Sequence, residues 1–234
     1  MNKQLRAGNN PSEPFLSRSI SRIRYLGIRA IPRLVFYRLL PSFVYYRSIC
    51  CVWMDLDDWR RQNPVNTVPF EIRLLAAEDL KSQKMFSELD LDSHDVALAM
   101  ASGADVIAAL QGETIASYLF VSTVSPGLND DLALEFDERL AYFYRAFTRP
   151  EFRGRGLMPA VLQAAMRRCA SRGDRGVVAC IDIGNWPSRR AFRSAGFKTL
   201  ATIRFANVGG QYWIRPRGSQ TTPRFQVLPV KRTV

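Results

Sequence analysis

The run Arg153-Gly154-Arg155-Gly156-Leu157 stands between a strand-like segment ending near Thr148 and a helix-like segment beginning near Pro159. A strand, a tight Gly-rich turn and a helix start together make an anion site. The glycines let the backbone turn sharply and approach a ligand closely. The free N–H groups of the first helical turn point at the anion, and the helix dipole favours negative charge there. Two arginines in the same turn add donors, so the stretch reads as a pyrophosphate cradle, with an ordinary basic turn as the plainer alternative.

About thirty residues on, Asn185-Trp186-Pro187-Ser188 opens a second helix-like run that reaches Ala195-Gly196-Phe197. It follows the strand-like run from Gly176 to Asp182. Pro187 and Ser188 suit a helix start, and Gly196 a helix stop. Together the two motifs resemble those of the GNAT superfamily of acyl-CoA-dependent N-acyltransferases. The first fits its Arg/Gln-x-x-Gly-x-Gly/Ala signature except at the last position, and the second fits its Asn-x-x-Ser…Gly-Phe signature. The resemblance covers residues 70–216 and is most specific from 141 to 205.

Composition sets the outer bounds. The chain has 234 residues, 47% hydrophobic, enough for one domain with an appendage. Its net charge is +12. Residues 1–65 hold 11 Lys/Arg against 4 Asp/Glu, and the remaining residues hold 22 against 17. The excess of +7 in the first quarter points to an acidic partner for that segment. Phosphate on a co-substrate accounts for part of the remainder, and anionic lipid or nucleic acid for the rest. Nucleic acid is the least favoured, because no reading motif accompanies the basic residues. Cys50, Cys51, Cys169 and Cys180 have neither disulfide-framework nor zinc spacing and read as buried, reduced thiols. His94 is the only histidine, so no triad or multi-histidine metal site is expected; its acidic neighbourhood, Asp90 to Asp95, reads as a solvated loop. No signal peptide or membrane-spanning run is evident, which suggests a cytoplasmic protein, with peripheral contact at an anionic membrane left open.

Four segments follow. Residues 1–14 are polar and expected to be disordered. Residues 15–65 form a basic extension: Leu16, Ile20, Ile23 and Ile31 recur at helical spacing with arginines on another face, and Phe43–Met54 reads as a strand. Such a helix either lies on a membrane surface or packs on the domain or on a second subunit. Removing residues 1–54 is therefore expected to impair solubility or dimerisation more than co-substrate affinity. Residues 66–217 form the catalytic domain, and 218–234 a tail that adds an edge strand or stays loose.

Within the domain, Pro69–Leu75 reads as a strand, Ala77–Leu89 and Val96–Ser102 as helices, and Asp105–Gln111 with Thr114–Ser122 as a hairpin over Gly112-Glu113. Ser125–Asp131 reads as a loop, Leu140–Thr148 and Val177–Asp182 as strands, and Leu157–Ser171 and Ser188–Ala195 as helices. Thr199–Asn207 and Gln211–Arg215 close a last hairpin over Gly209-Gly210. The fold class is α/β, a GNAT-like mixed and largely antiparallel sheet flanked by helices.

The resemblance implies direct acyl transfer, acetyl by family default, from acyl-CoA to a small-molecule amine within a ternary complex. It implies that the strand ending at Thr148 splays from the one ending at Asp182. Pantetheine would pair with backbone around Ala146, Phe147 and Thr148, and the pyrophosphate would rest on N–H groups of Arg153, Gly154, Arg155, Gly156, Leu157 and Met158. Asn185 and Ser188 join this cofactor-binding set, although Asn185 serves equally to fix its loop. Two departures stand out. Met158 replaces the final Gly/Ala, which leaves its N–H available. Phe192 replaces the Tyr that protonates the leaving thiolate in many relatives. The base position falls on Tyr142, with Tyr144 on the same face as Ala146 by strand alternation. Tyr titrates near pH ~10 and is a poor neutral-pH base, so core packing or an aromatic wall are the other roles for the pair. Glu135, Asp137 and Glu138 are nearby carboxylates, with Glu135 the candidate carried forward. No metal is expected.

Overall fold

Ile49-Cys50-Cys51-Val52-Trp53-Met54 is an unbroken run of nonpolar side chains, the signature of a strand covered on both faces. It forms the middle of β1 (Val44–Asp55), with its outer faces at Ile49 and Cys51 on one side and Cys50, Val52 and Met54 on the other. The computed structural model describes residues 44–62, 69–80, 88–125, 132–208, 211–218 and 225–229. The expected polar tail, the basic helix over 15–31 and most of the 125–131 loop lie outside them.

After β1 come α1 (Leu56–Gln62), β2 (Glu71–Leu75), a 3-10 turn at Ala77–Leu80, α2 (Ser93–Ala101), β3 (Asp105–Gln111) and β4 (Thr114–Ser122). Then follow β5 (Leu132–Phe136), β6 (Leu140–Thr148), α3 (Leu157–Arg172), β7 (Gly176–Asp182), α4 (Trp186–Ser194), β8 (Lys198–Val208), β9 (Gln211–Gly218) and β10 (Phe225–Pro229). Eight strands form one sheet in the order β2-β3-β4-β6-β7-β1-β8-β9, and β5 pairs with β10 in a separate two-stranded sheet. Every neighbour pair of the large sheet is antiparallel except β6/β7. The expected mixed, largely antiparallel α/β architecture is therefore present.

One face of the sheet is covered by α3 and α4. Leu157, Val161, Ala165, Met166 and Cys169 of α3 and Phe192 of α4 pack there against Leu119, Phe143, Val177 and Ala179. On the other face, Leu80, Leu89, Val96 and Ala99 cover β3 and β4, while Leu134 and Phe136 of β5 cover Ile49, Tyr142, Val178 and Phe205. Burial of a full aliphatic or aromatic side chain contributes about 1.5–3 kcal/mol relative to exposure, so these clusters dominate the fold's stability.

The structure corrects four expectations. First, β1 is not part of a separable extension: it lies between β7 and β8 and pairs with both along most of its length. Removing residues 1–54 would open the sheet at its middle, so that truncation is a folding mutation. Second, β5 occupies residues with no strand assignment from sequence, because five residues carry too short an alternation to register. Third, the stretch expected as one helix from Ala77 to Leu89 opens as a 3-10 turn at Ala77–Leu80; Glu88 and Leu89 at its end are helical, and residues 81–87 lie outside the described residues. Fourth, the acidic run is only in part a solvated loop: Asp90 and Asp92 are exposed ahead of α2, but Asp92 caps that helix in a reciprocal capping box with Asp95, which lies within it and is only 5% exposed.

Candidate active site

Strands β6 and β7 run side by side only from Leu140↔Gly176 to Phe143↔Ala179. Past that point β6 continues to Thr148 and β7 to Asp182, each held by its other neighbour. Asp182 stays in register with Ile49 of β1. On the far side, Tyr118↔Phe147 and Phe120↔Tyr144 leave Arg145 and Ala146 opposite the single residue Leu119, a β-bulge. Arg145 adopts φ +51°, a left-handed conformation unusual for a side-chain-bearing residue. The bulge falls just past the point where β6 stops pairing with β7. Beyond Phe143 the two strands part, and the β6 edge of the gap between them has no strand partner among the described residues.

The same bulge resets side-chain alternation. Tyr142 and Tyr144 pack on the face covered by β5 and α2, but Ala146 packs on the α3 face and Phe147 returns to the first. The expectation that Tyr142, Tyr144 and Ala146 share a face is thus overturned, because one extra residue shifts a period-two pattern by one step.

Both helices that follow β6 and β7 start at the open end of the gap. Glycine is needed at the start of α3: Gly154 has φ +77° and the N-cap Gly156 φ +74°. No side chain caps this helix, and Pro159 has no N–H; Ala160 is the first to donate back, to the Gly156 carbonyl at 3.3 Å. The N–H groups of Leu157 and Met158 therefore face outward from an uncapped positive helix end. Arg153, Gly154, Arg155 and Gly156 are all exposed around it. The Arg153 Nε donates to the Thr148 carbonyl at 3.1 Å, tying the turn to the end of β6, and the Arg155 guanidinium sits 5.3 Å from the Phe152 ring centre. Thr148 is held from behind. Ser117 donates to the Phe147 carbonyl at 2.9 Å, so its oxygen accepts from the Thr148 hydroxyl at 2.8 Å.

The second helix start is different. Asn185 accepts the Ser188 N–H at 3.2 Å, so α4 is capped by its own chain. This bond gives Asn185 a loop-fixing role and uses the Ser188 backbone, not its hydroxyl. Arg189 reinforces that loop by donating to the Ile183 carbonyl at 3.1 Å and lies 4.6 Å over the exposed Trp186 ring.

The catalytic candidates are distributed unevenly. Tyr142 is 3% exposed and stacked between Phe136 and Tyr144, at 5.7 Å from each ring. Burial, reinforced by Cys180 and Cys51, pushes its pKa well above the ordinary phenol value. Tyr144 packs edge-on to Phe120 at 5.3 Å, and burial raises its pKa as well, against smaller opposing effects of Ser102 and Arg145. The Tyr144 hydroxyl is buried without a well-formed hydrogen bond among the described residues. Both shifts run opposite to what a base at neutral pH requires. Glu135 is exposed on β5, opposite Gln226 of β10. Phe192 is buried against Phe197, ring centres 4.9 Å apart, so this position faces the core.

Sequence reading missed two ion pairs flanking the gap. Arg145 on the bulge pairs with buried Asp95. Arg47 of β1 pairs with Asp182 at 3.3 Å, and Asp182 also accepts the Gly184 N–H at 2.8 Å. The Asp-x-x-Asp spacing at 92 and 95 was a readable capping signal; nothing local announced the partner across the sheet. No cluster of three or more metal-ligating side chains occurs among the described residues, nor does any helix there have the length and apolarity to cross a membrane.

The sequence profile of the acetyltransferase (GNAT) family matches residues 53–197. No curated protein matches the chain. Among solved structures, a Drosophila protein superposes with a TM-score of 0.50 at 16% identity, covering 78% of this chain and 58% of its own. A functionally unknown conserved protein from Staphylococcus epidermidis gives 0.47 at 10% identity, covering 83% and 68%. A GCN5-related N-acetyltransferase-like protein from Streptococcus suis gives 0.45 at 13% identity, covering 75% and 67%. This chain thus spans little more than half the length of the Drosophila protein, and at such identity the likeness concerns the fold.

Proposed function

Since the chain belongs to the acetyltransferase (GNAT) family, we propose that it moves an acyl group, acetyl by family default, from acyl-CoA to a small-molecule amine inside the β6/β7 gap. The observation that carries this reading is the parting of β6 and β7 after Phe143↔Ala179, with the uncapped start of α3 at its mouth. Main-chain N–H groups from Gly154 to Met158, with the Arg153 and Arg155 side chains, hold the pyrophosphate; the Arg153 N–H is already taken by the Pro150 carbonyl at 3.3 Å. The unpaired edge of β6 at Ala146, Phe147 and Thr148 pairs with the pantetheine amides as an added strand would. One of its N–H groups polarises the thioester carbonyl and stabilises the oxyanion that forms when the amine attacks. Holding both reactants in one gap supplies much of the acceleration.

Proton transfer does not fall to β6. Tyr142 is enclosed, and Tyr144 serves as the aromatic wall of the gap. The acceptor's ammonium loses its proton before attack, to water or to an exposed carboxylate, with Glu135 as the candidate. With Phe192 buried, the thiolate leaves without a side-chain acid or takes a proton from water.

The lack of a placed acid or base also favours a second reading, an acyl-CoA-binding module without turnover. One experiment separates them: thioester consumption by the full-length protein across a panel of amines, alongside calorimetric CoA titration. Turnover with any amine supports transfer; CoA binding without turnover supports the module; no CoA binding refutes both.

A further inference from the structure

Of the four cysteines, two meet. Cys51 of β1 and Cys180 of β7 stand directly opposite each other across an antiparallel pair, and their sulfurs are 3.5 Å apart. Opposed residues in such a pair have Cα atoms about 4.5–5.5 Å apart, within the span a disulfide bridges. The others are placed differently. Cys50 points to the opposite face, toward the Thr199 hydroxyl at 3.9 Å, and Cys169 is on the buried face of α3 beside the Arg172 guanidinium. Burial pushes the Cys169 thiol up to about 12.

We propose that Cys51 and Cys180 are an oxidisable pair, closed to a disulfide by a hydroperoxide. The two differ in access: Cys51 is buried, whereas Cys180 is partly exposed at the first β7 position beyond its pairing with β6. Cys180 is therefore the sulfur that meets the oxidant. Its thiolate attacks the peroxide oxygen, the O–O bond breaks, and the alkoxide or hydroxide departs as alcohol or water with the proton the Cys180 thiol gave up, leaving a sulfenic acid on Cys180. Cys51 Sγ then attacks Cys180 Sγ. The S–O bond breaks, and the hydroxide leaves as water with the Cys51 proton. Two thiols are oxidised by two electrons and one hydroperoxide is reduced. The hydrogen bond with Cys180, then burial, hold the Cys51 thiol protonated, so it waits as the resolving partner. Closing the bond draws the sulfurs from 3.5 Å to about 2.05 Å. That pull acts on β7 at the base of the β6/β7 gap, toward β1 and away from β6.

The test uses the full-length protein treated with a small excess of hydrogen peroxide, then denatured, alkylated and digested without reductant. Expected are a fall from four titratable thiols to two, a peptide linking positions 51 and 180, and a rise in Tm of about 10 °C that reductant reverses, because the bridge closes a loop of more than a hundred residues. In Cys180→Ser the linked peptide and the Tm rise should both vanish. A Cys180 that stops at sulfinic acid, a crosslink through Cys50 or Cys169, or four thiols intact under conditions that oxidise a free surface thiol would each overturn the proposal. None of these outcomes depends on CoA binding or turnover.

Discussion

Replacing Gly156 tests the cradle most directly, because the substitution has two separable effects. Gly156 holds φ +74° as the N-cap of α3. Any side chain there costs roughly 1 kcal/mol in that left-handed conformation. Gly156→Ala carries this strain alone. Gly156→Glu adds a carboxylate beside the proposed pyrophosphate. Two unit charges about 6 Å apart repel by roughly 0.7 kcal/mol in bulk water and about 3 kcal/mol at an effective dielectric of 20. The glutamate variant should therefore bind CoA about 3- to 100-fold more weakly than the alanine variant, with the gap narrowing as salt is raised. Isothermal titration of both proteins at two ionic strengths, with folding checked by circular dichroism, provides the comparison. Equal affinities for two folded variants would refute the assignment of the phosphate site to this turn.

Arg145 offers a test of sign. Arg145→Ala loses the ion pair with buried Asp95 and keeps the φ +51° strain, whereas Arg145→Gly loses the pair but relieves the strain. Urea unfolding should find the glycine variant more stable than the alanine variant by about 1 kcal/mol, the reverse of the usual order within a strand. Phe192→Ala should destabilise by about 3–5 kcal/mol, and Phe192→Tyr, which buries a hydroxyl against Phe197, should lower Tm without raising turnover. Burial, outweighing Arg145, raises the pKa of Asp95 above its unfolded value. A raised pKa means that the folded state holds this proton more tightly. The resulting stabilisation is complete below the unfolded pKa and is lost as pH rises through the folded one. Measured against Asp95→Asn, which does not titrate, the wild type should therefore hold its largest advantage at acid pH and less at pH 7; a constant difference would remove Asp95 as the cause.

Local chemistry explains what the sequence revealed. Gly112 marked the β3/β4 hairpin, Gly173 ended α3, and the two helix starts after β6 and β7 were written in Gly156 and Asn185. Those signals depend on a few neighbouring residues. What escaped depends on partners far along the chain. The run from Ile49 to Met54 read as a strand, yet nothing within it says that it separates β7 from β8. The bulge at Arg145-Ala146 has no glycine to announce it, and it changed which side chains face which way. The same holds for Asp95, whose acidic neighbours suggested solvent until Arg145 arrived from β6.

The central position of β1 also bears on how a nascent chain reaches this fold. Cys51 must wait for Cys180, 129 residues later, before its strand has a neighbour on that side. At common rates of synthesis the interval is on the order of ten seconds. For that time an apolar segment stands outside the ribosome before either of its native strand neighbours, β7 and β8, has been made. Such high contact order slows folding and invites mispairing between molecules, so newly made copies should depend on chaperone shielding until β8 emerges.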